Sequence, residues 1–152
     1  MAKISIGADH GGYKIKEKIK SMLEKQGHTM IDVGTDSSDS CDYPVYGYKA
    51  AEMVSKKKTQ KGIAICKSGI GMSMVANKLP GVRAALCTTV KDASSAREHN
   101  DANMLTLGAS RVSEKLAIAI AKKWVKTKFL KGRHARRVNQ MKKIEKKLYK
   151  KF

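Results

Sequence analysis

Short apolar runs rich in β-branched residues alternate with longer stretches whose apolar positions recur every three or four residues, from one end of the chain to the other. The runs at 3–8, 29–33, 62–66, 82–87 and 103–107 predict strands, and the stretches between them predict helices. In the first helical stretch Ile15, Ile19, Met22 and Leu23 share one face, whereas Lys14, Lys16, Lys18, Lys20 and Lys25 lie on the other side and are expected to turn outward. Gly27 suits the C-terminal cap of that helix. Further helices are expected over about 45–57, 71–78, 89–99, 114–126 (with Ser113 as N-cap) and 134–150. In the last of these Val138, Met141, Ile144 and Leu148 form an apolar stripe along a charged rod, which needs a surface to lie on. Strand and helix in strict alternation with short connections imply right-handed βαβ units. The fold class is therefore α/β, a parallel sheet inside an open three-layer α/β/α sandwich. One domain over 1–152 accommodates everything, with 34–44 as the longest irregular segment.

Composition narrows the setting. With 152 residues, 41% of them hydrophobic, the chain can bury one core of ordinary size. It contains no apolar run long enough to span a membrane and begins without a secretory leader pattern, so no membrane association is expected. Three cysteines without C-x-x-C spacing argue against a disulfide framework or a structural zinc, and a reducing cytoplasmic setting is expected. The net charge of +19 raises nucleic acid as a partner, but residues 122–152 alone hold 14 Lys or Arg against one acid. Lysine supplies 26 of the 32 basic residues, and the run from Lys142 to Phe152 lacks interleaved arginine and glycine, so a solvated helix face is the plainer reading and nucleic acid is not the expected partner.

In such sheets ligands sit beyond the carboxyl ends of the strands. There the sequence places Asp9-His10-Gly11-Gly12, Asp42-Tyr43-Pro44, Cys66-Lys67-Ser68-Gly69-Ile70-Gly71 and Gly108 to Arg111. Glycines at 69 and 71 allow backbone N–H groups to turn toward an anion at a helix start, although the spacing is neither the P-loop nor the dinucleotide fingerprint, and a tight turn without ligand fits the same spacing. Cys66 would face that helix N-terminus, which favours a thiolate; alternatively it is a small buried hydrophobe. His99 can move protons near neutral pH, and Arg133 and Arg137, four apart on one helix face, can hold a phosphate.

In combination Gly-Ala-Asp-His-Gly-Gly (7–12), Asp42-Tyr43-Pro44, Cys66-x-Ser-Gly-Ile-Gly, Ala76-Asn77-Lys78, Gly81-Val82-Arg83-Ala84, Glu98-His99-Asn100-Asp101-Ala102-Asn103, Gly108-x-x-Arg111 and Gly132-Arg133-His134-x-x-Arg137 occur in the order seen in ribose-5-phosphate isomerase type B. The chain resembles that sugar-phosphate isomerase family, which includes galactose-6-phosphate isomerase, from residue 3 to about 145. The resemblance implies a Rossmann-like sandwich with a five-stranded parallel sheet, a homodimer or tetramer with the active site between subunits, and a phosphorylated sugar substrate. It implies interconversion of D-ribose 5-phosphate and D-ribulose 5-phosphate, in the pentose phosphate pathway, through a cis-enediolate. Cys66 would be the base, Ser68 its assistant and the amides of Gly69, Ile70 and Gly71 the enediolate cradle. His99 would open the furanose ring with Asp9 as helper, and Asn100 would touch the substrate. His10, Arg133 and Arg137 would grip the phosphate, with Arg111 a weaker member, and Tyr43 would line the pocket. No metal or organic cofactor is implied. The chain departs from the family loop at Lys67 and Ser68, where glycine and threonine are common, and Met72 stands where a second branch has a glutamate base. Two other readings stay open: a 6-phosphohexose isomerase acting on allose or galactose 6-phosphate, and a basic α/β module holding RNA through 122–152.

Overall fold

A computed structural model describes residues 1–150; Lys151 and Phe152, the end of the lysine-rich run, lie outside the described residues. Five strands, β1 (Lys3–Ala8), β2 (Thr29–Gly34), β3 (Lys61–Cys66), β4 (Ala84–Leu86) and β5 (Met104–Gly108), alternate with helices α1 (Tyr13–Lys25), α2 (Tyr43–Ser55), α3 (Ile70–Ala76), α4 (Val90–Glu98) and α5 (Glu114–Lys126), and α6 (Arg133–Tyr149) follows. All strand pairs are parallel, in the order β2-β1-β3-β5-β4. Period-two alternation divides β3 between two cores. Ile63 and Ile65 pack with α1, α4 and α5, whereas Ala64 and Cys66 face α2 and α3, which makes the expected three layers. Among the described residues no helix is long and apolar enough to cross a membrane.

The caps explain the helix boundaries. Gly27, at φ +91°, closes α1 in a Schellman arrangement: its N–H reaches the Glu24 carbonyl and the His28 N–H reaches that of Leu23. Ser113 accepts from the Leu116 N–H as expected, and Thr89 with Asp92 forms a capping box on α4. Two expectations need correction. The strand expected at 82–87 shrinks to Ala84–Leu86, because the Val82 N–H closes a turn on Leu79 and the Arg83 N–H is taken by the Asn103 side chain at 2.7 Å. Lys16 does not turn outward: it is 0% exposed, with its ammonium 2.6 Å from Asp32 and 2.9 Å from Glu17. Its long stem spans the apolar side of α1 to reach a carboxylate on β2. Of the stripe on α6 only Val138 is buried, while Met141, Ile144 and Leu148 stay exposed.

The topology sets where chemistry can gather. From β1 the chain moves to β2 on one side, while β3 lies on the other, so the crevice opens at the carboxyl ends of β1 and β3. The Asp9 N–H bonds the Ile65 carbonyl at 3.2 Å and closes the floor of that crevice. α4 leaves the carboxyl end of β4 and delivers the chain to the amino end of β5, and α5 likewise returns to that end before α6 begins. The start of α6 and the end of α4 therefore share the amino edge of the sheet.

Candidate active site

Cys66 ends β3 at 4% exposure, with its sulphur accepting the Gly69 N–H at 3.2 Å. Gly69 stands at φ +77°, and a Cβ there would lie 2.6 Å from a Leu86 methyl and 2.8 Å from the Leu107 backbone, so glycine alone lets the turn fold under the sulphur. Gly71 serves Tyr43 instead: a Cβ would fall 2.5 Å from the phenol ring, which lies against the first turn of α3. The Ile70 N–H is taken by the Ser68 hydroxyl at 3.2 Å, and the Lys67 carbonyl is pinned by the Ser110 amide and hydroxyl. Buried Asp9 accepts the Gly12 N–H on Oδ1 at 3.1 Å, which fixes the carboxylate at the N-terminus of α1. Asp9, Tyr43, Cys66, Lys67, Ser68, Ile70, Gly71, Met74 and Arg111 line one cleft. His10 borders it at the surface, its Nδ1 against the backbone of Cys41 at 3.1 Å to N and 3.2 Å to O.

The remaining expected residues form a second group at the opposite edge. His99 caps the C-terminus of α4, and its ring stacks on that of His134, with centroids 4.4 Å apart and planes inclined by 17°. Asn100 follows it directly and is exposed. Desolvation first, then the neighbouring His99, Arg133 and Arg137, hold the His134 imidazole below its ordinary range; Glu98 opposes them. Strand length separates the two groups by about 15 Å. One chain thus joins Asp9, His10, Tyr43, Cys66, Ser68, Gly69, Ile70, Gly71 and Arg111, and separately His99, Asn100, Arg133 and Arg137, but does not bring Asp9 to His99. Lys67 and Met74 enter the first cleft without having been assigned there. The i, i+4 relation of Met74 to Ile70 carries that signal. A further cleft between α6 and the 77–83 turn holds none of these groups. Among the described residues no group of three or more His, Cys, Asp or Glu is placed to hold a metal ion.

Residues 4–141 match the pattern of the Ribose/Galactose Isomerase family. The chain belongs to the ribose/galactose isomerase family. It is an isomerase. It is 39% identical over 145 residues to the ribose-5-phosphate isomerase B of Escherichia coli K12, covering 95% of this chain and 97% of that protein. Among solved structures, the ribose-5-phosphate isomerase B of Clostridium thermocellum superposes with a TM-score of 0.93 at 49% identity, covering 96% of this chain and 99% of the other. The Mycoplasma genitalium ribose-5-phosphate isomerase B, solved with bound ribulose-5-phosphate, gives 0.91 at 36% identity over 95% of this chain and 96% of that one. In this isomerase the motifs divide by task. Asn77 and Asn103 are spent on scaffold: Asn77 bridges Ser73 and Ala84, and Asn103 bridges Gly81 and Arg83. Met72, fully buried between α2 and the sheet, offers no base. Sequence reading gave His134 no role of its own, since nothing in its spacing announces a ring stack with a residue 35 positions away.

Proposed function

We propose that the isomerase interconverts D-ribose 5-phosphate and D-ribulose 5-phosphate, that the chain works as one catalytic domain, and that two copies complete each site. The observation that carries this reading is the Cys66 sulphur on the cleft floor, hydrogen-bonded by Gly69 and lined up with Ser68, Asp9 and Arg111. As thiolate, Cys66 takes the C2 proton of the open-chain aldose; the electron pair moves through C2–C1 onto O1, giving a cis-enediolate. The proton returns to C1 while the O2 proton passes to O1, leaving the ketose with its C1 hydroxyl and C2 carbonyl. On this reading the Gly69 and Ile70 N–H groups, which the structure directs at the Cys66 sulphur and the Ser68 hydroxyl, would turn with the Gly71 N–H and the Ser68 hydroxyl to the charge developing on O1 and O2. No step in this scheme calls for a metal or organic cofactor.

Ring opening and phosphate binding need groups that this chain holds at its other edge. His99 can shuttle protons between the anomeric hydroxyl and the ring oxygen, and Arg133 and Arg137 offer guanidinium forks for a phosphate. Apposing the cleft of one copy to the His99 edge of a second would bring Asp9 and His10 of the first to His99, Asn100, Arg133 and Arg137 of the second. Exposed apolar Tyr43, Ile70 and Met74 in the cleft lining support that contact. The family description names galactose beside ribose, so the alternative substrates to test are 6-phosphohexoses. A coupled assay with ribose 5-phosphate beside allose 6-phosphate and galactose 6-phosphate tests the choice: ribose 5-phosphate should give the highest kcat/KM, and faster turnover of either hexose phosphate would overturn it.

A further inference from the structure

We infer that His134 is a positioning residue for His99: its ring is the platform that fixes the plane of the imidazole which opens the sugar ring. The inference rests on the proposed role of His99. His99 is exposed and stands at the C-cap of α4, where its own N–H bonds the Ser95 carbonyl at 2.9 Å. A side chain so placed would sample several rotamers, and a proton shuttle between two oxygens of one sugar ring needs a single ring plane. The stack supplies that plane, at 4.4 Å between centroids and 17° between planes.

The platform is itself held firmly. Leu130 donates its N–H to the Glu98 carbonyl at 3.2 Å, and Arg97 donates from Nε to the Thr127 carbonyl at 3.1 Å, so the segment before α6 is laced to the end of α4. Lys131 and Gly132, both at positive φ, then turn the chain sharply into α6, and the His134 N–H closes on the Lys131 carbonyl at 3.1 Å. His134 is thereby delivered on the first turn of α6, directly against His99. Desolvation, then His99 on α4 and Arg133 and Arg137 on its own helix, disfavour its protonation against the opposing charge of Glu98, so the platform is kept a neutral ring.

The test compares two rates in His134→Ala, His134→Phe and His99→Asn: steady-state turnover of ribose 5-phosphate, which must be opened, and deuterium exchange at C1 of ribulose 5-phosphate, which is already open-chain. His134→Ala should lower kcat for ribose 5-phosphate by about tenfold to a hundredfold with KM within about threefold, the scale of misplacing a catalytic group. C1 exchange should stay within about twofold of wild type, because Cys66 is untouched, and His134→Phe, flat but not ionisable, should recover most of kcat. Unchanged kcat in His134→Ala, a rise confined to KM, or C1 exchange falling in step with turnover would each overturn the inference. His99→Asn keeps the two failures apart. If it too slows C1 exchange as much as turnover, the ring-opening role of His99 is what fails; if it slows turnover alone while His134→Ala does nothing, only the platform fails.

Discussion

Cys66 and Cys87 are both buried cysteines at the carboxyl ends of parallel strands, and their surroundings differ. The Gly69 N–H points at the Cys66 sulphur, whereas burial, and then the charge of Asp92, push the Cys87 thiol up to about 12. Cys87 should thus stay a thiol through the neutral and mildly alkaline range, and peptide mass mapping after iodoacetamide at pH 8 should find it unmodified in the folded protein; early alkylation of Cys87 would contradict that burial. Cys66→Ala should lower turnover by about 10² to 10⁴, the range for losing a general base, while substrate still binds. Retention of more than a tenth of wild-type turnover, with binding followed by calorimetry, would move the base elsewhere. Sequence put Cys66 between a strand, two glycines and a helix start, and only the family resemblance implied a base there. It could not show His134 against His99, because ring contacts across 35 positions depend on how two loops fold back.

Between α1 and β2 the buried ion pair shows what periodicity alone misses. The stripe of Ile15, Ile19 and Leu23 packs inward as its spacing says, yet Lys16, on the charged side of the same pattern, is fully buried because Asp32 faces it from β2. A helical wheel shows one element and not what the neighbouring strand offers, just as Asn103, on β5's approach, shortens β4 by capturing the Arg83 amide. Burial raises the Asp32 carboxyl, but hydrogen bonds from Lys16, the Gly34 amide and Lys20 outweigh it and hold the carboxyl below its ordinary range. A depressed carboxyl stabilises the fold above the ordinary carboxylate range near pH 4 and loses that contribution as pH falls through the folded-state value. In Asp32→Asn the fall of unfolding free energy between about pH 5 and 3 should be shallower than in wild type. Near neutral pH, Asp32→Ala should cost about 3 kcal/mol by leaving a buried ammonium short of its partner, as read by urea unfolding. An acid limb with unchanged slope would show that the pair does not titrate with folding.

Across the whole molecule, the parallel sheet and helix alternation follow from the sequence pattern, whereas the strand order and the separation of the cleft from the His99 edge appear only in the structure. A site shared between copies makes a definite prediction for mixtures. Cys66→Ala and His99→Asn should each be nearly inactive alone, but refolding them together should restore up to about a quarter of wild-type activity: half the dimers are mixed, and each mixed dimer has one site with both groups intact. No recovery on mixing, with mixed dimers confirmed by mass spectrometry, would place both groups in one chain's site.

On the proposed reading one half-site lies at each end of the parallel strands, which carries its own consequence for assembly. Two copies that complete each other must lie with their sheets running in opposite directions, and the two-fold axis that seats one cleft seats the other at the same moment. Catalysis would then be all or none with pairing, and specific activity should fall on dilution below the dimer's dissociation constant, making turnover a direct gauge of how many chains have found a mate.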